Sequence, residues 1–144
     1  KYVYTPEIVV GGARHMTGSD ARGIERAIKA ALAGQPDAAQ IEIAKTGEEL
    51  EVRLAAGPIK GADVWLFDID RKHTVAVERG ENTGRKLSYH HVVRRIEHLG
   101  RCSGQAEAFK LDAARAEKAG RDGLVVVVQP PGQGPVLGAA KVWF

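Results

Sequence analysis

The feature that most limits how this chain can fold is an oily stripe on one short helix. Ile24, Ala27, Ile28, Ala31 and Leu32 recur at i, i+3, i+4, i+7 and i+8, which puts them on one helical face, while Arg22, Glu25, Arg26 and Lys29 project mainly elsewhere. Ser19 or Asp20 supplies the N-cap, Gly34 is placed to end the helix, and Pro36 prevents its continuation. A helix this short draws its stability from packing, so the stripe demands a surface to cover. What precedes it is slight. Lys1 to Gly12 reads as extended, with Thr5-Pro6 holding the residue before the ring out of the helical region and Ile8, Val9 and Val10 favouring a strand. Gly11-Gly12 signals a tight turn, and Ala13 to Thr17 a short return strand. A hairpin plus one helix is marginal alone. Either an upstream segment of the same polypeptide completes the sheet, which is the expectation here, or the remainder of the chain packs over the stripe. The chain opens on Lys1 and not on methionine, as a processed or trimmed product would, with any targeting peptide upstream.

From Gln40 onward the period changes from helical to alternating. Ile41 and Ile43 alternate, as do Leu50, Val52 and Leu54; Val64, then Leu66 or Trp65, Phe67, and later Val75 and Val77 give further strands. Residues 61–79 read as a hairpin turning at Asp70-Arg71-Lys72. Tyr89 to Leu99 fits a long strand or a short helix, Ala106 to Leu111 a strand, and Ala113 to Ala119 a helix. Leu124 to Gln129 is a buried strand, followed by the turn Pro130-Pro131-Gly132-Gln133-Gly134 and a return over Val136 to Phe144. About seven short strands at turn-punctuated spacing predict an antiparallel sandwich or half-barrel. The fold class is therefore α+β, in two units over 1–35 and 36–144, with the seam at Gln35 to Ala39.

Composition narrows the function classes. Of 144 residues, 44% are hydrophobic and 27% charged, the balance of a globular chain, and no apolar run approaches membrane-helix length. The net charge of +3 is scattered among acids and aromatics are only 6%, which predicts a solvated mixed-charge surface and no nucleic-acid partner. Cys102 is the one cysteine, so neither an internal disulfide nor a thiolate zinc site can form.

Tyr4-Thr5-Pro6-Glu7 with Gly18-Ser19-Asp20, the run Arg79-Gly80-Glu81-Asn82-Thr83-Gly84-Arg85, and Val136-Leu137-Gly138-Ala139-Ala140 stand in an order that resembles an uncharacterised bacterial family of secreted, thioredoxin-like proteins, known as a domain of unknown function. The resemblance implies that residues 1–35 are the C-terminal half of a thioredoxin-like domain. It implies a periplasmic or secreted location, and possession by the full-length protein of a Cys-containing segment ahead of Lys1. It also implies a cis Thr5-Pro6 bond facing a Cys-x-x-Cys pair, which this chain does not contain.

The candidate ligand-facing residues are accordingly Thr5 and Pro6. A second candidate is the polar loop with Arg79, Glu81, Asn82 and Arg85, whose arginines have forked donors suited to carboxylate or phosphate. Against it stands an ordinary turn with the same side chains bonded locally. Gly80 and Gly84 do not make a phosphate loop, because no Gly-Lys-Ser/Thr follows. His90 and His91 are adjacent and would point to opposite faces of a strand, and no HExxH occurs. None of Ser19, Ser88 and Ser103 sits in a G-x-S-x-G elbow. Asp68 and Asp70 share a strand face as a solvated pair would, and Cys102 lacks a neighbouring His or Cys to activate it. No catalytic set, cofactor motif or metal motif emerges. Two functions follow: a thiol–disulfide protein seen without its reactive segment, or a non-catalytic binding or structural protein on a thioredoxin-like scaffold.

Overall fold

Asp20, of the two cap candidates, closes the first helix: its carboxylate accepts from the Gly23 N–H at 2.9 Å, and α1 runs over Ala21–Ala33. The computed structural model describes residues 6–34, 38–47, 49–132 and 134–144. Ahead of α1, β1 (Glu7–Val10) and β2 (Arg14–Thr17) pair antiparallel around Gly11 and Gly12, both at positive φ. The hairpin buries Ala27 to 4% exposure but leaves Ile28 at 45% and Leu32 at 77%. The expectation that the whole stripe lies against a sheet thus holds only for its middle. Two strands about 4.8 Å apart are too narrow to cover a helix roughly 10 Å across. The rest of the chain meets this unit at the hairpin turn instead, where the Val136 N–H donates to the Gly11 carbonyl at 2.7 Å. A side chain on Gly12 would come within 2.8 Å of the Gly134 carbonyl, so the close approach requires glycine there.

The remaining strands are β3 (Ile41–Thr46), β4 (Glu49–Leu54), β5 (Asp63–Ala76), β6 (Lys86–Arg101), β7 (Glu107–Asp112), β8 (Gly123–Gln129) and β9 (Gly138–Trp143), with a second helix, α2 (Ala113–Lys118), between β7 and β8. They form two antiparallel sheets, ordered β3-β4-β7 and β6-β5-β8-β9. Leu50, Val52 and Leu54 of the first meet Val64, Leu66, Leu124, Val126 and Val128 of the second in one sandwich-like core, with Ala116 of α2. At about 1.5–3 kcal/mol for each fully buried aliphatic side chain, this core is the main source of stability. Cys102 sits in it, 6% exposed, its Sγ 3.6 Å from the Ile59 carbonyl.

One predicted hairpin is corrected. Residues 61–79 do not turn at Asp70-Arg71-Lys72; β5 runs straight through them and pairs with β6 as far as Ala76↔Lys86. His73, Thr74 and Val75 suit a strand, and the glycines that a reversal needs come later: Gly80 and Gly84 adopt φ of 91° and 83°. The segment Tyr89 to Leu99, open between strand and helix, is strand. The sandwich-like part holds seven strands among the described residues, β3 to β9, as expected, and the first hairpin adds β1 and β2. Among the described residues no helix is long and apolar enough to cross a membrane, a statement that does not bear on β-barrels. Residues 35–37 of the expected seam lie outside the described residues, as do Lys1 to Thr5.

Candidate functional site

Strand β5 is apolar on both sides. Val64 and Leu66 point into the core at no more than 1% exposure, while Trp65 and Phe67 point the other way and stay half-buried. Registers with β6, β8 and β9 extend that outer face across the whole sheet. One row runs Ala139, Val127, Trp65, His98; the next Lys141, Val125, Phe67, Ile96; the third Trp143, Gly123, Ile69, Val93. Ile96 is 60% exposed and Val93 46%. Antiparallel sheets with one solvated face normally place polar residues there; this one does not.

Two hollows share Phe67. One, of about 320 Å³, has a floor of Phe67, Ile69, Val125 and Val127 and a rim of His91, Lys141 and Trp143. The other, of about 230 Å³, lies between Trp65, Phe67, Ile96 and the Pro130 turn, with Asp63 at its end. The Asp63 carboxylate accepts from Arg101 Nε at 2.9 Å and faces His98 Nε2 at 3.0 Å. The Arg101 hydrogen bond leads in holding its pKa below the ordinary 3.8, with His98 adding to the effect and burial opposing it. Trp65 lies beside His98, their ring centroids 4.7 Å apart. At the other end the Trp143 indole lies across Gly123, where an added Cβ would come within 2.5 Å of its ring. His91 stacks on the same indole at 5.5 Å. His91 is the non-glycine residue with positive φ (53°) among the described residues. A bulge between Asp68 and Ile69 lies close by in the β5–β6 register, and bulges of this kind re-aim side chains next to working surfaces.

The opposite face holds its polar groups differently. Asp68 is 3% exposed and takes a two-pronged ion pair from Arg115 of α2 at 3.0 and 3.2 Å; Asp70 is held by Arg121 at 2.9 Å. These aspartates are therefore neither solvated nor free for acid–base work, which corrects the sequence reading of a turn-proximal pair. A hollow of about 560 Å³ on the three-stranded sheet is lined by Arg53 and Glu42, which already pair with each other.

The sequence candidates lie elsewhere. Arg79, Glu81, Asn82 and Arg85 sit at the tip of the β5–β6 hairpin, exposed, where backbone bonds and the Thr83 hydroxyl to the Gly80 carbonyl (2.6 Å) close the turn. Pro6 is exposed at the start of β1, its carbonyl accepting from the Gly18 N–H at 2.8 Å; Thr5, and with it the Thr5-Pro6 bond, lies outside the described residues. Among the described residues no three His, Cys, Asp or Glu side chains cluster as metal ligands. The outer face went unrecognised in the sequence, although it left a signal: Val64 to Ile69 is apolar at both parities except for Asp68, more than a one-sided strand requires.

Comparison with known proteins adds kinship without a role. A family described as protein of unknown function (DUF1223) matches residues 1–129. A crystal structure of protein AGR_C_4864 from Agrobacterium tumefaciens, determined by a structural genomics consortium, is similar at 30% identity with a TM-score of 0.78. The similarity covers 99% of this chain and 63% of that one, so the chain spans under two thirds of its solved relative. No curated protein matches.

Proposed function

This chain belongs to the DUF1223 family of proteins of unknown function, and from that footing we propose that it acts by binding, through the outer face of its four-stranded sheet. The observation that carries the reading is the exposure of Ile96 and Val93 beside half-buried Trp65 and Phe67, on a sheet whose other face already fills the core. Contiguous apolar surface of this kind is retained where something docks. The test is titration with the neutral dye Nile red. Phe67→Ser with Ile96→Ser is expected to abolish most of the dye's enhancement while the protein keeps its far-UV circular dichroism and a cooperative urea transition. Enhancement that survives the double substitution, or falls only with Ile28→Ser and Leu32→Ser in α1, overturns it.

A second reading concerns residues 1–35 as a unit distinct from 36–144. The order of Pro6, hairpin and capped helix supports half of a thioredoxin-like domain in a periplasmic or secreted protein, and bare Ile28 and Leu32 favour an upstream segment that completes its sheet. In this reading Thr5 and Pro6 face the ligand and the loop of Arg79, Glu81, Asn82 and Arg85 offers polar contacts. Any thiol–disulfide chemistry would come from cysteines outside this chain, since Cys102 is buried. Insulin reduction by the full-length protein tests it: turnover that depends on an upstream Cys-x-x-Cys is expected, and a full-length protein without such a pair rules the chemistry out.

A further inference from the structure

The outer face is not uniformly oily. At the Trp143 end of the larger hollow, Arg71 Cζ lies 4.5 Å and Lys141 Nζ 5.7 Å from the indole centroid, both within cation–π range. Neither side chain takes part in an ion pair among the described residues, whereas Asp68 and Asp70 of the same strand β5 each hold an arginine. At this end the Asp122 carboxylate accepts from the Arg71 backbone N–H at 2.7 Å, while the guanidinium lies over the indole. The result is a hollow of about 320 Å³ with an apolar floor and Lys141 on its rim, and with Arg71 on the indole at the same end; neither cation is engaged in an ion pair among the described residues. Pockets of this size hold small ligands by an apolar body and a few placed polar groups.

We infer that this hollow takes an amphipathic carboxylate of medium chain length, its alkyl body on Phe67, Val125 and Val127 and its carboxylate beside Lys141 and Arg71. The backbone around His91 belongs to the same device. A non-glycine residue at φ 53° costs of order 1–3 kcal/mol, and what that conformation obtains is an imidazole laid on Trp143, closing the hollow's end. An alcohol of the same length would gain the floor but not the cations. An alkylammonium would gain the floor and be repelled.

This inference rests on the binding role proposed for the outer face, and its test separates the two. In a Trp65→Phe background Trp143 is the remaining tryptophan of the two, so its fluorescence reports the hollow. Titrations with octanoate, octan-1-ol and octylammonium are expected to rank in that order, octanoate binding about threefold to tenfold more tightly than the alcohol. Lys141→Ala with Arg71→Ala, both exposed positions, should bring octanoate down to the level of the alcohol and leave the alcohol unchanged. Equal binding of octanoate and octanol would overturn the carboxylate assignment and keep the apolar face. Failure of all three to bind would remove both. Selectivity that survives the double substitution places the carboxylate elsewhere and overturns the assignment as well.

Discussion

The two faces of the four-stranded sheet are built from neighbouring residues of the same strands, yet they live under different rules. On the inner face Val64, Leu66, Val126 and Val128 are sealed by Leu50, Val52 and Leu54, and each polar intrusion is matched, as Asp68 is by Arg115. On the outer face Trp65, Phe67, Val93 and Ile96 are as apolar, but the first two are only half-buried and the last two exposed among the described residues. Similar side chains thus serve stability on one side and remain available for contact on the other. What separates the two is cover, which the strand sequence alone does not encode.

Substitutions should separate the faces in proportion to that cover. Leu66→Ala empties a position 1% exposed and is expected to cost about 2–5 kcal/mol in urea denaturation. Its outer neighbour Phe67→Ala should cost clearly less; equal costs would mean that the outer face is covered after all. Arg115→Ala leaves the inner Asp68 carboxylate buried without its partner and should cost about 2–4 kcal/mol, somewhat below a fully enclosed pair because Arg115 itself is 36% exposed. Gly123→Ala puts a methyl within 2.5 Å of both the Trp143 ring and the Val142 carbonyl. A loss of about 1–3 kcal/mol is expected, with a shifted Trp143 emission as the indole is pushed off the strand.

The smallest effect concerns Asp63, the outer-face carboxylate. Its pKa in the folded chain lies below the ordinary 3.8, chiefly through Arg101, so around and below that pH the unfolded chain binds more protons than the folded one. The stability this group contributes is present above pH 3.8 and is lost as pH falls through the lowered value. Asp63→Asn should therefore lower the neutral plateau slightly, leave stability at the acid end of the window nearly unchanged and so flatten the acid limb, as followed by urea midpoints across that window. A steeper acid limb in the variant would contradict the assignment.

Much of the local structure was legible because it depends on near neighbours. The α1 stripe with its Asp20 cap, the buried run from Leu124 and the helix at Ala113 follow from period and punctuation. The misplaced turn at Asp70-Arg71-Lys72 shows the limit. A polar triplet reads as a reversal, yet Asp70 is bound by Arg121, more than fifty residues away in the chain, and Arg71 by Asp122, so both stay in the strand. The polar loop at Arg79 to Arg85 was visible as a loop, but its position at the tip of the long β5–β6 hairpin was not.

By itself the sequence determined the α+β character and the places of most strands and both helices, since each follows from residue type and spacing along the chain. The tertiary structure decided which parity of β5 became core, which aspartates acquired arginines, and where Arg71, His91 and Lys141 converge on Trp143. Those outcomes depend on strand register and on which surfaces meet, and registers between segments tens of residues apart are fixed by the packing of the whole chain, not by any local pattern.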